Sequence, residues 1–269
     1  MNSEQRTIKG FTLLELAVAV GIMAMVLSFA GVIFKVSINS HRTAIASAEI
    51  MQKLRAITDQ LDGDFRSVIY EYGGYIGFNT DTFNIAGQSV QVNSDCIAFF
   101  TSGSFQSTGQ YGGRTMAGNV ACVFYGQPDP NSFGGPPRPQ QNMLFRRQTI
   151  LTGDAPAAGS PVGEYYRESL SQWRVVRPFA DPEDWVKRPL INPNNLQDYM
   201  VMLMAKGVHN FTIEFAEWGP TGQIKWTRSP QGVPQSISTK AFKFTFTLYD
   251  SKGIIKDGRT FTHIVYLGD

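Results

Sequence analysis

Hydropathy divides the chain into three stretches. Residues 1–10 are polar, with Arg6 and Lys9 set against Glu4. Residues 11–34, FTLLELAVAVGIMAMVLSFAGVIF, are apolar apart from one charge, Glu15. As a helix this run covers about 36 Å, enough for the hydrocarbon core of a bilayer. From Ala44 the pattern turns amphipathic. Ala44, Ala48, Met51, Leu54, Ile57, Leu61, Phe65 and Val68 recur three or four positions apart. Arg42, Glu49, Lys53, Arg55, Asp59, Asp62 and Arg66 take the other face. The spacing predicts one helix over 11–70, about 90 Å long. Its first half is a membrane span over 11–34, and its second half lies against a globular head. Gly63 weakens the last turns, and Gly73-Gly74 ends the element. Gly21 and Gly31 offer close helix contact or local unwinding.

Beyond Gly74 the period falls to two, as in half-buried strands. Over 240–249, Phe242, Phe244, Phe246 and Leu248 alternate with Lys243, Thr245 and Thr247. Phe211, Ile213 and Phe215 alternate likewise with Thr212 and Glu214. Shorter runs at 96–100, 121–125, 143–148, 173–177 and 260–267 read as strands. The last of these pairs with 240–249 across a loop holding Gly253 and Asp257-Gly258, an antiparallel hairpin. Residues 103–118, 126–139 and 152–163 are rich in turn formers and read as solvent-facing loops. The fold class is therefore α+β. A head at 71–269 forms an antiparallel sheet packed on the amphipathic half of the helix.

Composition removes several function classes. A net charge of +2, from 24 basic and 22 acidic residues, gives no basic face for nucleic acid. His41, His209 and His263 lie far apart, and with two cysteines they make no four-ligand metal set. There is no nucleophile elbow, no zinc-protease helix motif and no phosphate-binding glycine loop. No catalytic residue, cofactor site or metal site is read. Asp181, Glu183 and Asp184 surround Trp185 without the spacing of a calcium loop, and read as a solvated charge run. Asn210-Phe211-Thr212 matches a glycosylation triplet but falls inside an expected strand.

The chemistry lies at the start of the chain. Basic residues ahead of the apolar run place the N-terminus in the cytoplasm and the head outside. A simple signal anchor explains the span but not Glu15, a carboxylate one turn inside it, which is costly there without a partner. Gly10 sits at the polar–apolar boundary, and a cut after it leaves Phe11 first and Glu15 fifth. The string Lys9-Gly10-Phe11-Thr12-Leu13-Leu14-Glu15, with the apolar helix behind it, resembles the cleavage and methylation motif of type IV pilins and type II secretion pseudopilins. The resemblance implies a ten-residue leader, cut by a prepilin peptidase between Gly10 and Phe11, and methylation of the new Phe11 amine. It implies that Glu15 pairs with the terminal amine of a neighbouring pilin or pseudopilin subunit. The subunit would wait in the inner membrane and then enter a pilus or pseudopilus. Asp64-Phe65-Arg66, Leu144-Phe145-Arg146, Gly207-Val208 ahead of Phe211-Thr212-Ile213, and the Phe-rich final hairpin are similar to J/W-type minor pilins and pseudopilins.

Two other readings remain open on the sequence. One is a binding or enzymatic domain on a signal anchor, which needs neither Gly10 nor Glu15. The other is an adhesion or DNA-uptake pilin that binds through its head. In an exported head, Cys96 and Cys122 are a candidate disulfide, since adjacent antiparallel strands can reach the required Cα separation of about 4.4–6.8 Å. The alternative is two buried thiols packed as small apolar groups.

Overall fold

The structure, a computed structural model, describes residues 12–69, 74–85, 88–129, 142–154, 164–167, 188–189, 200–218, 223–228, 235–236 and 239–267. The strand expected at 173–177 and the acidic run around Trp185 lie outside the described residues, as do Gly10 and Phe11. The chain divides into two units, residues 1–45 and 46–269.

In the first unit, helix α1 (Leu13–Phe65) runs unbroken through Gly21 and Gly31, where an added Cβ would meet nothing. Every large apolar side chain from Leu13 to Ile38 is more than half exposed. A helix apolar on all sides requires lipid or other helices around it. By length and composition it is able to cross a membrane.

In the second unit α1 acquires one buried face. Ala46, Ile50, Ile57, Leu61 and Phe65 are at most 2% exposed, with Leu54 half-buried between them. The expected stripe holds at Leu54, Ile57, Leu61 and Phe65 and is corrected before them: Ala44 and Ala48 are exposed and Met51 is 42% exposed. Both series satisfy helical spacing, and the one that buries the branched side chain of Ile50 prevails. The helix also ends at Phe65, short of the expected 70. The next residues turn to join a strand: Ser102 N–H donates to Ser67 O at 2.9 Å, and Ile69 N–H donates to Phe100 O at 2.9 Å.

The described strands, in chain order, are β1 (Gly74–Gly77), β2 (Thr80–Ile85), β3 (Gln88–Asn93), β4 (Cys96–Tyr111), β5 (Arg114–Gly126), β6 (Met143–Leu151), β7 (Tyr165–Tyr166), β8 (Leu203–Lys206), β9 (Val208–Trp218), β10 (Ile224–Thr227), β11 (Gln235–Ser236), β12 (Ala241–Leu248) and β13 (Arg259–Tyr266). One sheet has the order β11-β1-β4-β5-β6-β7, with β8 also on β6. A second has the order β10-β9-β12-β13, and β2 pairs with β3. All pairings are antiparallel except β6 with β7. The expected hairpin appears as β12 and β13, joined in register from Ala241–Tyr266 to Leu248–Arg259.

Residues 103–118, expected as a loop, instead extend β4 and β5 into a long hairpin. Its tip pairs Tyr111 with Arg114 across Gly112-Gly113. Both glycines have positive φ, 62° and 80°, which a two-residue turn matched to strand twist demands. The glycines that look like loop formers thus supply the turn and the irregular register at Ser102–Phe105 and Gln106–Gln110.

One core joins the helix face to both sheets. Ile50, Ile57, Leu61 and Phe65 meet Ile97, Phe99, Val123 and Leu144 from the first sheet, and Val208, Phe211, Phe242, Phe244 and Phe246 from the second. Phe65 stacks on Phe99 with ring centroids 4.1 Å apart. Polar contacts hold the helix beside this core. Glu49 accepts from the Ser251 N–H at 2.9 Å and hydroxyl at 3.0 Å, and Lys53 donates to Tyr249 O at 2.8 Å. Arg259 donates to Ser47 Oγ at 3.0 Å, and His263 Nε2 lies 2.8 Å from Asp62 Oδ1.

The last helical turn carries a buried carboxylate. Asp64, 6% exposed, takes a two-pronged contact from Arg146: Nε to Oδ2 at 2.6 Å and Nη2 to Oδ1 at 2.7 Å. Tyr125 donates its hydroxyl to Oδ2, and Gln60 donates to Oδ1 at 3.1 Å. Burial and the adjoining Asp64 charge push the Tyr125 phenol well above its ordinary value, so it stays a donor. Removing one member of a buried pair leaves the other uncompensated, so Asp64→Ala is expected to lose about 3–5 kcal/mol of stability. Asp64→Ala with Arg146→Met should recover part of that loss. Urea unfolding of the three proteins measures both, and a silent Asp64→Ala would refute the account.

Candidate functional site

The sequence places the functional chemistry at Gly10, Phe11 and Glu15. Gly10 and Phe11 lie outside the described residues, and the structure places Glu15 in the first turn of α1. There Glu15 Oε2 accepts from the Thr12 N–H at 2.9 Å and the Thr12 hydroxyl at 3.0 Å. In return, the Glu15 N–H donates to Thr12 Oγ1 at 3.3 Å. This is a reciprocal capping box: Thr12 is the N-cap and Glu15 the third helical residue. It satisfies two backbone donors that have no partner within the helix. The carboxylate therefore has a local reason to sit at this position. That role was open to sequence reading, because Thr-x-x-Glu ahead of an apolar run is the recognised signature.

The structure also unites two strings noted separately in the sequence. Asp64 of Asp64-Phe65-Arg66 meets Arg146 of Leu144-Phe145-Arg146 across 82 positions. Two further carboxylates are tied in the same way. Asp95, fully buried, accepts from Arg228 Nη2 at 2.8 Å and Nε at 3.0 Å, from the Ile213 N–H at 2.9 Å and from the Asn79 N–H at 3.0 Å. Arg188 grips Asp81 through both Nη atoms, at 2.7 and 2.8 Å, and donates to Ser94 Oγ and the carbonyls of Gln127 and Pro128. These are ties between distant segments, not reactive groups. No sequence spacing announces them.

A cavity of about 160 Å³ beside β6 is lined by Gln106, Thr108, Arg146, Gln148, Glu164 and Met202, among others. Its charged groups are engaged within the chain. Arg146 holds Asp64, Arg147 lies over the Phe124 ring, and Glu164 accepts from the N–H groups of Thr108 and Gly109 and from the Tyr111 hydroxyl at 2.6 Å. Among the described residues no three His, Cys, Asp or Glu side chains gather as a metal would require. Asn210, of the glycosylation triplet, sits in β9 with φ of 54° and accepts from the Asn93 N–H at 3.1 Å.

The candidate disulfide is corrected. Cys96 and Cys122 are not joined. They occupy adjacent strands, but Cys122 pairs with Phe100. Cys96 is therefore four positions along β4, about 13 Å away along the strand. Strand adjacency was right and register was not, and register alone sets Cα separation. Both thiols are buried.

Residues 5–31 match the family model of the prokaryotic N-terminal methylation motif. The match covers about a tenth of the chain and contains Gly10, Phe11 and Glu15. No curated protein and no solved structure matches the chain significantly. The chain thus carries a prepilin-type N-terminal motif ahead of a long apolar helix.

Burial pushes both thiols up to about 12, with Cys122 held back somewhat by Arg147 and Cys96 by Arg188. The thiolate is the reactive form. Iodoacetamide at pH 8 is therefore expected to leave both unlabelled in the folded protein and to label both in urea. Mass spectrometry reads the outcome, and rapid native labelling would show that β4 and β5 do not hold the cysteines as described.

Proposed function

We propose that this chain is a minor pilin or pseudopilin, a non-catalytic subunit processed by a prepilin peptidase and assembled through its N-terminal helix. The observation that carries the proposal is the methylation-motif match over 5–31, with Gly10, Phe11 and Glu15 in its register. In this reading the peptidase cuts after Gly10 and the Phe11 amine is methylated. Before assembly the chain spans the inner membrane once, N-terminus in the cytoplasm and head outside. It then leaves the lipid for a pilus or pseudopilus, where other subunits surround the apolar helix. The exposed apolar side chains of Leu13 to Ile38 suit both surroundings.

Glu15 then has two successive roles. In the lone subunit it closes the capping box with Thr12. In the assembly its charge attracts the terminal amine of a neighbour.

The processing step is tested by intact-mass measurement of membrane-extracted protein. From cells with an active peptidase the chain is expected to begin at methylated Phe11, whereas Gly10→Val should retain residues 1–10. A wild-type chain beginning at Met1 would sink the proposal.

The two roles of Glu15 separate by substitution. Glutamine also closes a capping box but carries no charge. Glu15→Gln should therefore insert into the membrane normally yet enter sheared filaments about tenfold less than wild type, as expected when a desolvated charge pair loses one member. Wild-type incorporation of Glu15→Gln, with a defect only in Glu15→Ala, would leave Glu15 a helix cap alone.

A further inference from the structure

We propose that β13 is the docking edge for an extended segment of another protein chain, which adds to the β10-β9-β12-β13 sheet as a fifth strand. The head's sheets have several ends, but most are too short to template a partner. β7 and β11 are two residues each and β10 is four. β13 has eight residues, Arg-Thr-Phe-Thr-His-Ile-Val-Tyr, and among the described residues it pairs on one side only, with β12. The Leu267 N–H donates to Lys240 O at 2.8 Å. Alternation from that bond turns residues 265, 263, 261 and 259 toward β12. Thr260, Thr262, Ile264 and Tyr266 therefore aim their backbone N–H and C=O groups away from the sheet, and among the described residues nothing accepts or donates to them.

Exposed edges are normally blunted by proline, a bulge or an outward lysine. β13 has none of these, and its register with β12 is unbroken. The side chains above the open edge favour a strand partner. Tyr266 is 70% exposed and Ile264 half-buried, and aromatic or β-branched neighbours are those that stabilise cross-strand pairs. Charge specifies the partner further. β13 carries Arg259 and His263 and no acid, and among the described residues Arg259 is met by the Ser47 hydroxyl and by no carboxylate. The incoming segment is thus extended, rich in β-branched residues, and acidic where it passes Arg259.

A second copy of this chain is the poorer occupant. The segment 46–65 runs in the same sense as β13, since Ser47 meets Arg259 and Asp62 meets His263. A two-fold antiparallel pairing of two β13 strands reverses that segment between the copies. Subunits standing side by side in a filament keep it in one sense. This choice of a different chain rests on the filament reading, whereas the open edge does not.

The test is residue-resolved amide exchange on the full chain in detergent, with and without an acetylated, amidated Val-Thr-Val-Thr-Val-Glu-Val peptide. Without peptide, the amides of Thr262, Ile264 and Tyr266 should exchange fast and those of Phe261, His263 and Val265 slowly. With peptide, the fast set should slow by about tenfold or more. Ile264→Pro removes an outward N–H and no β12 bond, and an edge strand tolerates proline there. It should abolish the effect while the slow set confirms an intact hairpin. Three results would overturn the proposal: an outward set already slow without peptide, slowing with protein concentration alone, or a proline variant that responds as wild type does. The first two mean that the edge is covered by this chain or by its own copy. None of them touches cleavage after Gly10, which mass measurement decides separately.

Discussion

A carboxylate removed from water at the end of a helix must be neutralised where it stands, and Asp64 sets the geometry of the head around that requirement. The apolar face of α1 could pack on a phenylalanine-rich surface at several offsets along its axis, because burial is non-directional. The contacts of Asp64 with Arg146 and Tyr125 are directional and permit one. Arg146 and Tyr125 lie opposite each other on β6 and β5, so one carboxylate fixes the helix against two strands at once. The Thr101 hydroxyl also donates to Asp64 O at 2.9 Å, adding β4 to the same junction. With the turn fixed, Phe65 can stack on Phe99 and the remaining face fills the space between the sheets.

The same device recurs across the head. Asp95 with Arg228, and Asp81 with Arg188, each join segments more than 100 positions apart by two-pronged contacts. Taken singly, buried pairs add little to stability, because desolvation offsets their attraction. Their value is in excluding wrong arrangements. A chain with 26 glycines and 14 prolines benefits from a few contacts that tolerate no alternative.

How much of this was legible in the sequence depended on the range of each interaction. The α+β class, the apolar helix and the β12–β13 hairpin follow from periods of 3.6 and 2, which local residues determine. The motif around Gly10 and Glu15 is a contiguous string and was equally plain. The stripe on α1 was read correctly from Leu54 to Phe65 and misphased only before it, where two series share the spacing and the facing sheets select Ile50 over Met51. The hairpin over 103–118 was hidden because glycines serve loops and tight turns alike. The cysteines were placed on adjacent strands, yet their offset depends on register, which the pairing of Ile97 with Tyr125 fixes. The ties of Asp81 and Asp95 left no local trace, and the two strings that hold Asp64 and Arg146 gave no sign that they meet.

The arrangement of helix and hairpin has a mechanical consequence. Residues 46–65 are held at intervals, by Ser47 and Asp62 to β13, by Glu49 and Lys53 to the turn after β12, and by Asp64 to β6. A pull along the helix axis loads these contacts in parallel, as shear, so that each carries only part of the force. A pull across the axis would peel them one after another, beginning at Ser47 and Glu49. The head therefore resists tension delivered along its helix far better than a sideways force of equal size.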